Sequence, residues 1–126
     1  MRIIGGEFKG RRFYPPKHIS ARPTTDFAKE ALFNILENRL DFSQTESLDL
    51  FAGIGSISLE LISRACPHVS SVERDHKNIA FLKKTLDFLT IENMNIVQED
   101  VFKFLKYNNR EYDFVFADPP YDMSKI

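Results

Sequence analysis

Three acidic positions and a pair of glycines hold the chemistry this chain can do. Asp118-Pro119-Pro120-Tyr121 follows the apolar run Phe114-Val115-Phe116-Ala117. Proline fixes its own φ and pushes the residue before it toward extended backbone. The two prolines therefore end a strand and hold the Pro119 carbonyl and the Asp118 carboxylate in set directions. Two such acceptors suit the two N–H groups of a planar exocyclic amine and steer its lone pair toward an electrophile. Tyr121 offers a flat face on which a base can stack. Glu73 stands twenty residues after Gly53, at the end of a short apolar stretch. An acid at that interval can take both hydroxyls of a ribose. Asp100 follows the next such stretch and can accept from an adenine amine, cap the helix that follows, or do both. Each feature alone has an ordinary reading as a turn, a strand-end glutamate or a helix cap. Their order along one chain is what favours ligand chemistry.

The element that must position them is Ser47 to Glu60, a buried strand, a glycine turn and the start of a helix. Gly53 and Gly55 let the backbone approach a ligand with no Cβ in the way. A helix opening near Gly55 aims unpaired N–H groups and the positive end of its dipole at the turn, a seat for a ligand with an anionic group. The pattern Gly53-Ile54-Gly55-Ser56-Ile57-Ser58 has Ser58 where a dinucleotide fingerprint has its third glycine. It fits a nucleoside ligand without requiring a pyrophosphate.

The remaining elements follow in order. Ile3-Ile4 and Arg12-Phe13-Tyr14 flank a glycine-rich turn region and read as a hairpin that Pro15-Pro16 ends. Thr24 or Thr25 caps a helix whose first turn holds Asp26, with Phe27, Ala31, Leu32, Ile35, Leu36 and Leu40 as its inward stripe. Strands are expected over about 48–51, 69–73, 93–98 and 112–117. Helices are expected over about 55–65 and 75–89, with a short one after Asp100 that turns Val101, Phe104 and Leu105 inward. Asp75 is the expected cap of the second, which buries Ile79, Leu82, Leu86 and Leu89. Strands alternating with helices imply an α/β fold with a parallel sheet and right-handed crossovers. The apolar run at 114–117 reads as a mid-sheet strand. Too few residues follow it for another βα unit, so either the chain is part of a longer protein or this strand is an exposed edge that pairs with something.

Bulk properties narrow the class. A chain of 126 residues with 43% hydrophobic content and twelve Phe is long enough for one domain with a real core. No run of about 18 apolar residues is present and the N-terminus lacks a signal peptide's apolar stretch, so no membrane association is expected. Cys66 is the single cysteine, and a reducing cytoplasm suits it. Cys66, His18, His68 and His76 show no metal-ligand spacing, so no metal is expected. Net charge is −1 overall, but residues 1–30 carry +4 and the remainder −5. A basic segment on an acidic body suits a polyanion partner at one end, although solvated surface Lys and Arg produce the same balance.

The ordered set Asp49-Leu50-Phe51-Ala52-Gly53-Ile54-Gly55, Glu73, Asp100 and Asp118-Pro119-Pro120-Tyr121 resembles the class I S-adenosylmethionine-dependent N-methyltransferases. Residues 1–12, together with Arg22-Pro23-Thr24-Thr25-Asp26 and Glu30-Ala31-Leu32-Phe33-Asn34-Ile35-Leu36, are similar to the RsmD family. Those bacterial enzymes methylate N2 of a guanine in 16S ribosomal RNA. The resemblance implies a Rossmann-like sheet, here its N-terminal four strands in the order 3-2-1-4, with helices on both faces. It further implies a basic hairpin or arm at 1–23 and a methyltransferase domain at 24–126 whose remaining strands lie beyond the chain. By position it implies that Asp49, Gly53 and Gly55 line the methionine end of S-adenosylmethionine, with Glu73 on the ribose and Asp100 on the adenine. Asp118, Pro119 and Tyr121 would hold the guanine amine. Arg2, Lys9, Arg11, Arg12 and Arg22 would contact RNA phosphates, so binding would be salt-sensitive. The implied partner is 16S rRNA or the small ribosomal subunit. The implied reaction is in-line displacement at the sulfonium methyl, with catalysis mostly by positioning and the base unpaired or flipped. Ile54 departs from the smaller residue common in the family. The alternatives are methylation of adenine N6 in DNA or of another exocyclic amine, a nicotinamide-dependent oxidoreductase, and a nucleic-acid-binding module.

Overall fold

The computed structural model describes residues 1–19 and 24–120. Helix α1 (Asp26–Glu37) leads through a short 3₁₀ turn (Phe42–Gln44) into β1 (Glu46–Leu50), α2 (Ser56–Ser63), β2 (His68–Glu73), α3 (His76–Leu89), β3 (Met94–Gln98), α4 (Val101–Tyr107) and β4 (Phe114–Ala117). The four strands form one parallel sheet in the order β3-β2-β1-β4. The expected order and helices on both faces are both present.

Alternation along the strands explains the layers, because successive side chains point to opposite faces. On one face, Val69 and the partly buried Phe114 and Phe116 meet Phe33 and Leu36 of α1 and Ile57, Leu61 and Ile62 of α2. Further along that face, Met94 and Ile96 meet Leu59 of α2 and Leu82, Leu86 and Leu89 of α3. On the other face Leu48, Leu50 and Val72 pack under Val101 and the partly buried Phe104 of α4. Each fully buried Leu or Phe contributes about 1.5–3 kcal/mol. Among the described residues, no helix is long and apolar enough to cross a membrane.

Three expectations are corrected. The inward face of α1 is Lys29, Phe33 and Leu36, whereas Phe27 and Ile35 are 85% and 56% exposed and Ala31 is exposed. The apolar stripe was misplaced because a lysine sits in the true one, and that lysine is buried only because a buried carboxylate waits for it. In α4, Leu105 is 47% exposed while Val101 is buried. Phe51 lies outside β1, at φ 56°. The strand stops one residue earlier than expected because the chain turns sharply there. As the expected order implies, β4 pairs with β1 and is an edge strand among the described residues, and Val115 is half exposed.

The N-terminal segment forms a hairpin tied by a single antiparallel bridge between Arg2 and Arg12. Ile3 N–H donates to the Arg11 carbonyl at 3.0 Å and Phe13 N–H to the Met1 carbonyl at 2.8 Å. It lies across α2 and α3, with Ile3 fully buried beside Leu59 and Leu82. Its turn meets the far end of α2, where Glu7 N–H donates to the Ser63 carbonyl at 2.8 Å. Phe8 N–H donates to Ser63 Oγ at 2.9 Å, and that hydroxyl donates to the Gly5 carbonyl at 2.6 Å. Gly6 (φ +80°) permits this approach, since a Cβ there would fall 1.9 Å from the Ser63 carbonyl oxygen.

Candidate active site at the carboxyl edge of the sheet

The site begins where β1 ends. Phe51 takes the left-handed conformation, unusual for a residue with a Cβ. Ala52 N–H then donates to the Val72 carbonyl at 3.0 Å, and Gly55 N–H to the Ala52 carbonyl at 2.9 Å. Gly53 (φ 59°) and Gly55 (φ 88°) complete the left-handed path, and Gly55 is the N-cap of α2 with no side-chain bond. The space at Gly55 is filled from within: a Cβ would lie 2.5 Å from Leu82 Cδ1. That glycine therefore serves helix packing as well as backbone freedom.

Glu73 ends β2 and closes the twenty-residue interval directly. Its Oε1 accepts from Gly53 N–H at 2.9 Å, while Oε2 accepts from Asp75 N–H at 3.0 Å and Asn78 Nδ2 at 3.2 Å. The carboxylate is thus aimed and held beside the turn, and its residue remains partly exposed. Asp100 caps α4, its Oδ1 accepting from Lys103 N–H at 3.0 Å. Its second carboxylate oxygen has no partner among the described residues.

Asp49 is only 1% exposed. Its Oδ2 accepts from Ser58 N–H at 3.1 Å and Ser58 Oγ at 2.5 Å, and Ser58 Oγ meets Ser71 Oγ at 2.6 Å. The carboxylate therefore takes one of the orphan donors in the first turn of α2 and braces the turn from beneath. Burial pushes its pKa up to about 7, against the hydrogen bonds from Ser58 and helped by the charges of Glu73 and Asp118.

Asp118 and Pro119 follow β4 and are exposed. The register sets Leu50 opposite Val72 and Ala117, and Glu73 opposite Gln98. The strand order then lines up Asp100, Glu73, the glycine turn and Asp118 along one edge. With neighbouring strands about 4.8 Å apart, the row spans roughly 14 Å. Tyr121 and Arg22 lie outside the described residues. Of the basic positions, Lys9, Arg11 and Arg12 are exposed on the hairpin, while Arg2 Nε pairs with Asp26 at 3.0 Å. The hairpin turn contacts the end of α2 opposite the glycine turn, about 12 Å away along an eight-residue helix. Lys9 is thus placed away from the acidic row. Among the described residues, no three of His, Cys, Asp and Glu cluster to hold a metal ion.

Several supporting residues escaped the sequence reading. Lys29 and Glu60 are both fully buried, with Lys29 Nζ 3.5 Å from Glu60 Oε1 and donating to Ser56 Oγ at 3.1 Å. Glu60 also accepts from Ile4 N–H, Gly5 N–H and Arg64 Nε, each at 2.9 Å. Burial lowers the Lys29 pKa, while the Glu60 charge and hydrogen bond oppose the shift. One carboxylate thus joins the hairpin, α1 and the first residue of α2. The signal was a charge of each sign on two apolar helix faces. Asn78 could have been read from its place three residues after the Asp75 cap.

Comparison with known proteins gives this arrangement a lineage. Residues 1–126 match the family described as conserved hypothetical protein 95. The chain belongs to that family, the RsmD family. It is 36% identical over 121 residues to ribosomal RNA small subunit methyltransferase D of Escherichia coli K12, covering 96% of this chain and 60% of that protein. It is 37% identical over 130 residues to a putative rRNA methyltransferase of Bacillus subtilis, covering 100% of this chain and 70% of that protein. Among solved structures, the putative methyltransferase yhhF from Escherichia coli superposes with a TM-score of 0.85 at 32% identity, over 98% of this chain and 65% of that one. The chain spans about three fifths of the length of the first two curated RsmD-family relatives. Its sheet is a Rossmann-like class I methyltransferase sheet.

Proposed function

We infer that this RsmD-family chain carries the cofactor half and the amine-binding motif of an S-adenosylmethionine-dependent RNA methyltransferase. The finer reading is that its target is the N2 amine of a guanine in 16S rRNA. The observation that carries the inference is the row of Asp100, Glu73, the glycine turn and Asp118-Pro119 on one sheet edge. The names borne by relatives at 35–37% identity support RNA as the substrate.

The residues present suit the cofactor. Asp100 retains an acceptor oxygen for an amine, and Glu73 is held beside the turn where ribose hydroxyls would replace part of its internal bonding. The Ser56 and Ile57 N–H groups at the head of α2 offer donors for a carboxylate. When bound, S-adenosylmethionine supplies an activated methyl group on a sulfonium. Asp118 and the Pro119 carbonyl accept the N–H bonds of the target amine and orient its lone pair, with Tyr121 as stacking partner. The protein contributes positioning and hydrogen bonding, with no nucleophilic side chain required. A nicotinamide-dependent reading leaves Asp118-Pro119 without a role.

The test is calorimetric titration with S-adenosylmethionine and, separately, NAD, followed by transfer of labelled methyl to 16S rRNA and to adenine-containing DNA. Selective binding of S-adenosylmethionine with label on RNA guanine is the expected result. Selective NAD binding overturns the cofactor assignment, and label on DNA adenine overturns the substrate.

A further inference from the structure

A groove lies between the hairpin exit and α3, outside the acidic row. It has a volume of about 320 Å³ and is formed by Arg12, Phe13 and Tyr14 on one side and Phe81, Lys84 and Phe88 on the other. The α3 residues recur at helical spacing on the face opposite the buried Ile79, Leu82, Leu86 and Leu89. Tyr14 is 77% exposed and Phe88 70% exposed, although Phe88 also takes an edge-to-face contact from Phe13 at 6.2 Å. Large aromatic rings held at a surface beside cations are unexplained by the core.

The charge is one-sided. Among the described residues, no carboxylate lines the groove. Arg11 and Lys83 are exposed next to its lining residues, and Asp87 is the one acid of α3. Among the described residues, Arg12 and Lys84 have no ion-pair partner. Flat rings flanked by cations make a surface for a single-stranded nucleic acid, with bases stacking and phosphates meeting the charges. Distance separates this surface from the Glu73 end of the acidic row. Phe81 and Phe88 lie six and thirteen residues beyond Asp75, the cap beside Glu73, or about 9 and 20 Å along the helix.

We propose that this groove binds unpaired RNA nucleotides flanking the target, stacking bases on Tyr14 and Phe88 and pairing phosphates with Arg12 and Lys84. The proposal rests on the reading that the substrate is RNA. It adds a second contact region that fixes which stretch of RNA reaches Asp118.

The experiment titrates the chain with a fluorescein-labelled single-stranded RNA dodecamer at several salt concentrations. Tyr14→Ala and Phe88→Leu are expected to weaken binding about 5- to 150-fold each, the range for loss of one base–aromatic stack. Phe88→Leu retains apolar cover and so isolates the ring. Lys84→Ala is expected to lower the salt slope by about 0.7. Unchanged affinity and slope in all three variants, with the parent chain binding RNA, overturn the groove alone. No RNA binding by the parent chain overturns the RNA reading with it. Sedimentation of the parent chain as a dimer that Phe88→Leu dissociates, with RNA affinity intact, assigns the surface to a second copy. Capture by anionic phospholipid vesicles that these variants abolish, again with RNA affinity intact, assigns it to a membrane. Either result overturns the proposal.

Discussion

Replacing Asp49 by Asn should make the protein's stability less sensitive to alkali. Asp49 is 1% exposed, and its pKa is pushed up from 3.8 to about 7, first by burial and further by Glu73 and Asp118. Between those two values the folded protein holds a proton that the unfolded chain has released. Unfolding therefore releases a proton, and rising pH favours it. The loss of stability begins near the unfolded value, is steepest up to about pH 7 and levels off above. For one site with these values, wild-type stability falls by about 2–3 kcal/mol between pH 5 and pH 8. Asn keeps a carbonyl to accept from Ser58 N–H and Oγ but cannot ionise. The stability advantage of Asp49→Asn over wild type should then grow by about 2–3 kcal/mol across that interval. Urea unfolding at pH 5, 6, 7 and 8 measures it, provided the m-value is the same for both proteins. A difference between the two proteins that stays constant with pH would refute the reasoning and show that Asp49 is ionised in the fold throughout.

Glu73→Ala removes the acceptor for Gly53 N–H, and S-adenosylmethionine affinity should fall roughly 10- to 100-fold, the size of a lost charged hydrogen bond; calorimetry returning the wild-type constant would take Glu73 out of the site. Asp118→Ala should leave that affinity within a factor of about three while methyl transfer drops about 100-fold or more. A label-transfer rate equal to wild type would remove Asp118 from the chemistry. Gly55→Ala forces a Cβ toward Leu82 at φ +88°, and should destabilise the fold by about 2 kcal/mol or more. An unchanged urea midpoint would mean that the turn adjusts freely.

The parallel sheet, its helices and the acids at its carboxyl edge were legible because each leaves a local mark. Asp75 and Asp100 sit where caps belong, and Ile79, Leu82, Leu86 and Leu89 keep strict helical spacing. The α1 face was not legible, because Lys29 occupies a core position and only Glu60, thirty-one residues later, makes that tolerable. Phe51 gave no sign of its positive φ, since nothing local marks a strained phenylalanine. The row of acids at the carboxyl edge followed from strand order, but the way Gly53 N–H is held by Glu73 required the register. The brace formed by Asp49, Ser58 and Ser71 joins three elements, and no local pattern in the chain specifies that meeting.

The Glu60 carboxylate has a consequence in time. It receives Ile4 and Gly5 from 56 and 55 residues away, and Ser63 receives Phe8 across a similar interval. During synthesis at about 5–20 residues per second, the hairpin is made roughly 3–11 seconds before those acceptors. Its backbone donors stay hydrated until α2 has formed, and closing so long a loop adds an entropic delay. The hairpin, made before α2, is therefore among the last segments to be fixed, and the basic segment gains a defined position only once the glycine turn and its helix are in place.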